Sequence, residues 1–367
     1  MRWDHLRLDG AAEDGAAEDS QAGGPAAGPG PGRALFERGA VARTFDTPGF
    51  RGMTFYEIQA KSIVNRVPAT SRMAFSWTIN PYRGCQHACA YCFARNTHTY
   101  LDLDAGQDFD SKVVVKVNAQ ELLRKTLASP RWAGEHIAMG TNVDCYQRAE
   151  GRYQLMRGII AALRDYANPF SILTKGTLIL RDLDLLTQAA EVTDVGLNVS
   201  AGFVDKELWR SLEPGTPSPE RRLDVCATLN RAGLRCGVLM GPVVPFLSDS
   251  PAQLEAAVRR IAASGAVHVT PIILHLRPGT REWYLRWLSE HHPALLPRYR
   301  SLYRHSAYAP KDYQAEITGR VRELARRYGV GATTPAAGRS AGASGGMGPA
   351  AAARQAPRPA PMQLSLL

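Results

Sequence analysis

The middle of this chain alternates short apolar runs with amphipathic helical patterns, and this alternation constrains the fold more than any other feature. Six runs have the length and the apolar content of buried strands. They lie at residues 76–80, 136–143, 170–175, 195–200, 235–244 and 267–276. Strands that alternate with helices predict a parallel sheet with helices on its outer face. Six such units are too few for a complete eight-stranded barrel, so we predict an α/β fold that is a partial (β/α)6 TIM-like barrel.

Two of the intervening helices carry start signals. Asn118 precedes an amphipathic run and has Glu121 three residues later, which predicts a capping box. Ser250 and Pro251 open a second helix, and Gly265 closes it.

Composition divides the chain into five parts. The two ends are rich in Ala, Gly and Pro and poor in large apolar side chains, so we expect disordered tails at 1–33 and 331–367. Between them we predict an N-terminal extension at 34–75, the partial barrel at 76–276, and a helical cap at 277–330 with its helix near the end.

Charge and hydropathy bound the surroundings of the protein. There is no run of about 18 apolar residues and no apolar signal region at the N-terminus, so we expect a cytoplasmic chain without membrane contact. In a reducing compartment, clustered cysteines are more often metal ligands than disulfides. The net negative charge of the first tail and the net positive charge of the last tail cancel. The net charge of +10 is therefore carried by the middle of the chain. A basic body suits a polyanion such as nucleic acid, although a solvated basic surface gives the same charge.

Half of the six cysteines lie in the stretch NPYRGCQHACAYCFAR, residues 80–95. A structural zinc site closes a shell of four ligands, usually as two separated pairs. A [4Fe–4S] cluster held by three cysteines instead leaves one iron open for a substrate or cofactor. His87 or His98 could also complete a Cys₃His zinc site. The cysteines of this CxxxCxxC motif are Cys85, Cys89 and Cys92.

The motif and its surroundings resemble a known family. CxxxCxxC with Tyr91 before the last cysteine resembles the signature of radical S-adenosylmethionine (SAM) enzymes. The stretches TNVDCYQRAE, LTKGTLILRDLDLL, LEPGTPSPERRLDV and GPVVPFLSD resemble the spore photoproduct lyase-related branch, over roughly residues 50–300. The resemblance implies a partial barrel, a [4Fe–4S] cluster on the three cysteines, and an external electron donor. It also implies that SAM is cleaved reductively to a 5′-deoxyadenosyl radical.

Residues at the carboxyl ends of the predicted strands are candidates for binding SAM. The resemblance suggests Asn142 and Asp144 for the amino group of the cofactor. Lys175 could pair with its carboxylate, and Ser200 with a ribose hydroxyl. Gly241, which ends the fifth predicted strand, could let the backbone lie close to the adenine. The full set of candidates is Tyr91, Asn142, Asp144, Lys175, Ser200 and Gly241.

The remaining cysteines fall into two groups. The resemblance implies a further cysteine near the end of the second strand that returns a hydrogen atom to the product. That position falls near Gly140, and Cys145 lies several residues beyond it, which puts lyase activity itself in doubt and leaves Cys145 as a catalytic candidate. Cys226 and Cys236 have apolar neighbours and are expected to be buried core thiols.

Two features point to partners. Arginines recur around the predicted strand ends with aromatic residues nearby, a pattern that suits phosphates and stacked bases. The last five residues, QLSLL from Gln363 to Leu367, follow a flexible arm. They resemble the short peptide by which bacterial replication and repair proteins dock on the sliding clamp.

We therefore expect a radical SAM enzyme that acts on DNA or another nucleic acid in a repair-like reaction. Two alternatives stay open at this point. The same enzyme class could modify a protein or a small molecule, and the cysteines could belong to a non-catalytic zinc module that binds nucleic acid.

Overall fold

The structure is a computed structural model that describes residues 39–68, 71 and 73–330. The two predicted tails and the predicted clamp-docking peptide lie outside the described residues. Among the residues it describes, no helix has the length and apolar character to cross a membrane.

The described residues form two sheets. Their strands are β1 (Val41–Arg43), β2 (Thr54–Ile58), β3 (Val64–Arg66), β4 (Trp77–Ile79), β5 (Tyr82–Arg83), β6 (Lys112–Lys116), β7 (Ile137–Met139), β8 (Phe170–Thr174), β9 (Val195–Ser200), β10 (Cys236–Val243) and β11 (Val269–Ile273). The larger sheet has the order β11-β10-β9-β8-β7-β4-β3, and the smaller sheet has the order β1-β2-β6-β5.

Eleven α-helices surround these sheets in the described part of the chain. They are α1 (Gln107–Ser111), α2 (Ala119–Leu127), α3 (Glu150–Tyr153), α4 (Leu155–Asp165), α5 (Leu183–Val192), α6 (Lys206–Leu212), α7 (Pro219–Arg231), α8 (Pro251–Ala263), α9 (Thr280–His291), α10 (Leu296–Leu302) and α11 (Lys311–Arg327). Short 3₁₀ helices lie at Pro48–Phe50, Phe93–Thr97, Thr99–Leu101, Leu178–Asp182 and Pro293–Leu295.

The larger sheet is the predicted partial barrel. Strands β4, β7, β8, β9, β10 and β11 run parallel to one another, and β3 adds an antiparallel edge beside β4. With β3 and β11 at its two edges, the sheet is an open barrel rather than a closed one. Parallel pairing brings the carboxyl ends of these strands to one edge, where barrel enzymes carry their active sites.

Burial along β8, in the middle of the larger sheet, follows the side-chain period of two. In β8 the buried Phe170 and Ile172 alternate with the half-buried Ser171 and Leu173. The buried set joins the main core with the apolar faces of the surrounding helices. The half-buried set therefore faces the other side of the sheet, the interior of the barrel.

The smaller sheet was not predicted. In this sheet β1 pairs with β2, β2 with β6, and β6 with β5, so two strands of the predicted extension at 34–75 belong to it. A second core packs on this sheet and includes Phe55, Tyr82 and Phe109, together with Cys85 of the cysteine motif. The N-terminal segment thus helps to bury the motif.

Several local predictions can be compared with the structure. The opening of α8 by Ser250 is confirmed, because its hydroxyl accepts the N–H of Gln253 in a capping box. The capping box at Asn118 is wrong: the Asn118 carboxamide bonds both backbone groups of Ala60, at 2.9 and 3.0 Å. Gly241 lies inside β10 rather than at its end, since that strand continues to Val243.

Candidate active site at the carboxyl ends of the strands

The cysteine loop, residues 84–92, follows β4 and β5 and needs unusual backbone angles. Gly84 has a φ of +85°, and a Cβ there would lie 2.7 Å from the carbonyl oxygen of Lys112. Only glycine fits such a position without strain. Ala88 also adopts a positive φ, +52°, between the first two cysteines. The Cys85 N–H donates to the carbonyl oxygen of Phe109 at 2.9 Å, and this hydrogen bond attaches the loop to helix α1.

The three thiols of the loop lie in a protected environment. Cys85 and Cys89 are buried, and Cys92 is half-buried. Burial raises the pKa of Cys85, and the Asp144 carboxylate and the other two thiols raise it further. Burial likewise raises the pKa of Cys89, to about 12, and the pKa of Cys92. Three adjacent thiolates would therefore need compensating positive charge, which a bound metal centre supplies.

Three neighbouring cysteine thiols are the donor set that a [4Fe–4S] cluster with one open iron requires. Among the described residues, no group of three or more His, Cys, Asp or Glu side chains is gathered as one metal ion requires. In a [4Fe–4S] cluster each cysteine binds a different iron, so the thiols need not converge on one point. The two histidines of the zinc alternative have protein partners. His98 Nε2 lies 2.8 Å from the carbonyl oxygen of Lys112, and His87 Nδ1 lies 3.4 Å from Asp144 Oδ2.

A second loop, residues 212–222, grips the cysteine loop and is called the clasp loop below. The Ala90 N–H donates to the carbonyl oxygen of Leu212 at 2.9 Å, and the Gly215 N–H donates to that of His87 at 3.1 Å. The two backbones are so close that a Cβ on Gly215 would lie 2.0 Å from the carbonyl oxygen of Gln86.

A buried ion pair lies at the centre of the clasp loop. Glu213 accepts a hydrogen bond from the Tyr91 hydroxyl and pairs with the Arg222 guanidinium. Burial raises the pKa of Glu213, but Arg222 and Lys175 outweigh burial and hold that pKa below its usual value. Arg222 also donates to the carbonyl oxygen of Ser200, at 3.1 Å, at the end of β9. The pair therefore links the aromatic residue of the cysteine motif to a strand end.

Four of the predicted SAM-binding residues come together beside this pair. Lys175 Nζ lies 2.9 Å from the Ser200 hydroxyl oxygen, and that hydroxyl donates to the carbonyl oxygen of Gly241 at 2.9 Å. The Lys175 ammonium also lies over the Tyr91 ring, 5.7 Å from its centroid. A cation, a hydroxyl, an aromatic face and a strand backbone thus meet next to the cysteine loop.

The other two candidates follow β7. The Asp144 carboxylate already accepts the Thr174 hydroxyl at 2.6 Å and two backbone N–H groups, those of Tyr146 at 2.8 Å and Lys175 at 2.6 Å. It therefore joins the ends of β7 and β8. Asn142 is half-buried in the same segment.

The position expected for a hydrogen-donating cysteine cannot hold a side chain. Gly140 has a φ of +74°, and a Cβ there would lie 1.8 Å from the carbonyl oxygen of Leu173. Cys145 is fully buried in the main core, where burial raises its pKa. This burial favours a packing role for Cys145. Cys226 and Cys236 are also fully buried, as predicted.

An aromatic patch lies at the carboxyl end of β11, immediately after the cysteine loop. Phe93 is 36% exposed and Tyr308 is 48% exposed, and both flank the His275 ring with centroids at 5.6 and 5.5 Å. Arg277 lies over the Phe93 ring at 5.5 Å and donates to the Tyr308 hydroxyl at 3.1 Å. The patch combines π faces with a cation.

The sequence does not indicate the buried ion pair or the aromatic patch. Glu213 and Arg222 stand nine residues apart in LEPGTPSPERRLDV, where their charges suit a solvated helix start equally well. Phe93 directly follows the cysteine motif, but Tyr308 is separated from it by more than half of the chain.

Comparison with known proteins identifies the class. The sequence model of the Radical SAM superfamily matches residues 79–261. Rv2578c of Mycobacterium tuberculosis is 48% identical over 292 residues, which is 80% of this chain and 86% of that protein. MJ0683 of Methanocaldococcus jannaschii is 32% identical over 195 residues, which is 53% of this chain and 69% of that protein. The chain belongs to the radical SAM superfamily and is a radical SAM enzyme.

Solved structures confirm the predicted fold. A spore photoproduct lyase complexed with dinucleoside spore photoproduct superposes with a TM-score of 0.56 at 13% identity, over 75% of this chain and 79% of that chain. A mutant of that lyase with bound AdoMet and dinucleoside spore photoproduct gives a TM-score of 0.53 at 15% identity, over 71% and 76%. At these identities the likeness concerns the fold. The cofactors that the superfamily implies are a [4Fe–4S] cluster and SAM.

Proposed function

We propose that Cys85, Cys89 and Cys92 hold a [4Fe–4S] cluster and that the neighbouring strand ends bind SAM for reductive cleavage. One observation carries the proposal: three neighbouring thiols, two buried and one half-buried, lie beside Tyr91 and Lys175 at the carboxyl ends of parallel strands. When bound and reduced, the cluster supplies the electron that breaks a carbon–sulfur bond of SAM and yields a 5′-deoxyadenosyl radical.

Each side chain of the site suits a part of the cofactor. The Lys175 ammonium would pair with the carboxylate of SAM, and the Ser200 hydroxyl would bond a ribose hydroxyl. The half-buried Asn142 would bind the amino group, and the backbone at Gly241 would contact the adenine. The occupied carboxylate of Asp144 supports a positioning role, in which it fixes the Lys175 backbone through a 2.6 Å hydrogen bond. The buried surroundings exclude water from a reactive radical.

We further propose that the substrate is a nucleic acid. The aromatic patch supports this choice, because exposed Phe93 and Tyr308 rings beside the Arg277 guanidinium suit a stacked base and its phosphate. The basic body of the chain points the same way. Radical chemistry on a protein or a small molecule is the alternative. The cytoplasmic location, the external electron donor and the sliding-clamp contact stay predictions.

The cofactor assignment is tested by anaerobic reconstitution with iron and sulfide. We expect iron and acid-labile sulfide in the amounts of one [4Fe–4S] cluster per chain, with an oxygen-sensitive brown colour. Cys89→Ser should lose the cluster, and Cys226→Ser is the matched control because Cys226 is a buried thiol outside the loop. A colourless protein that binds one zinc ion per chain would contradict the assignment.

The substrate assignment is tested by binding and by turnover. Duplex and single-stranded DNA should bind at low salt and be released as salt rises. Tyr308→Ala and Arg277→Ala should weaken this binding without changing the cluster content. Formation of 5′-deoxyadenosine should increase with ultraviolet-irradiated DNA over undamaged DNA. Absence of DNA binding at low salt would favour the protein or small-molecule alternative.

A further inference from the structure

Gln86, between the first cysteine and His87, has a buried side chain with nothing to bond. Its relative exposure is 6%, and among the described residues neither its Nε2 nor its Oε1 has a hydrogen-bond partner. A buried carboxamide of this kind is destabilising, because it has lost its bonds to water and gained none in return.

The backbone of Gln86 is fixed on two sides, so the loop cannot shift to find a partner. Its N–H donates to Gln147 Oε1 at 3.0 Å. Its carbonyl oxygen packs against Gly215 of the clasp loop, where a Cβ would lie at 2.0 Å. The missing partner must therefore come to the carboxamide from outside the described residues.

Gln147 provides the contrast within the same neighbourhood. It is fully buried, and both ends of its carboxamide are bonded. Its Oε1 accepts the Gln86 N–H, and its Nε2 donates to the carbonyl oxygen of Gly84 at 3.0 Å. The Gln147 side chain thus stabilises the cysteine loop through two hydrogen bonds. The side-chain polar atoms of Gln86, next to Cys85, have no partner among the described residues.

We propose that the Gln86 side-chain N–H groups donate to the sulfur atoms of the cluster that the adjacent cysteines hold. The inference rests on the proposed cluster. Sulfur atoms of iron–sulfur clusters are anionic acceptors, and hydrogen bonds to them raise the reduction potential by stabilising the reduced form. Gln86 would thereby set how readily the cluster accepts its electron.

The test compares Gln86→Met with Gln147→Met. Methionine has a similar size to glutamine and removes its hydrogen-bonding groups. In the iron-free protein, Gln86→Met should lower the unfolding equilibrium constant by about tenfold, because an unbonded buried amide is removed. In the same preparation Gln147→Met should raise that constant, because two bonded backbone groups lose their partner. After reconstitution, Gln86→Met should shift the cluster's reduction potential to a more negative value in an EPR-monitored titration.

Two results would overturn the assignment. One is a loss of iron-free stability in Gln86→Met as large as that in Gln147→Met, and the other is a reduction potential equal to that of the unchanged protein. Gln86→Leu, which also removes the N–H donors and adds no charge, is titrated as well and should shift the potential in the same direction. A failure of the proposed function is distinguishable, because the unchanged protein itself would then form no [4Fe–4S] signal.

Discussion

We expect the largest loss of unfolding free energy from a substitution that breaks the buried ion pair between Glu213 and Arg222. Both side chains are almost fully buried, at 1% exposure each. Arg222 also donates to the carbonyl oxygens of Pro217 at 2.8 Å and Ser200 at 3.1 Å. Arg222→Met would leave the Glu213 charge buried without its partner, which costs about 3–5 kcal/mol of unfolding free energy. The two backbone carbonyl oxygens, of Pro217 and Ser200, would also lose their donor, which adds to this cost.

The assay is urea denaturation of the iron-free protein under reducing conditions, so that cluster loss cannot contribute. Arg320→Met is the matched control, because the Arg320–Glu316 pair is exposed on helix α11 and should be worth about 0.5 kcal/mol or less. The double variant Glu213→Gln with Arg222→Met should recover part of the loss, since no unpaired charge then remains. If Arg222→Met destabilises the protein no more than Arg320→Met does, the clasp loop is not held by this pair.

Three further substitutions probe the site. Gly215→Ala should lower both stability and cluster loading, measured by denaturation and iron content, because its Cβ would lie 2.0 Å from the Gln86 carbonyl oxygen. Lys175→Met should keep the cluster but weaken SAM binding by about tenfold to a hundredfold in an equilibrium assay, because a hydrogen bond to a charged group contributes about that much affinity. An unchanged affinity would show that Lys175 does not bind SAM. Gly140→Cys should fold poorly rather than gain a hydrogen-donating thiol, because its Cβ would lie 1.8 Å from the Leu173 carbonyl oxygen; a soluble variant of normal stability would contradict this.

Sequence reasoning succeeded where the signal is local. The barrel strands are apolar runs, and the three cysteines have a spacing that is itself informative. Lys175 and Ser200 were predicted to lie close together because parallel strands end at a common edge, and their side chains are 2.9 Å apart. By contrast, β1 is exposed along its whole length and β5 has only two residues, so neither carries an apolar pattern.

The failures share one physical cause, which is contact between distant segments. Asn118 has the sequence of a helix cap, but it bonds Ala60, 58 residues away, and this tertiary contact outweighs the local one. Glu213 and Arg222 are charged residues that usually lie in solvent. In the structure Glu213 contacts Tyr91 of the cysteine loop, which lies 122 residues earlier in the chain. No sequence pattern reports such a contact.

The most direct test of the central claim is the formation of 5′-deoxyadenosine from SAM by the reconstituted, dithionite-reduced protein, quantified by mass spectrometry. We predict that the unchanged protein and Cys226→Ser form it, and that Cys89→Ser does not. The claim would be contradicted if the unchanged protein contained a [4Fe–4S] cluster and formed no 5′-deoxyadenosine, or if Cys89→Ser formed it at the same rate.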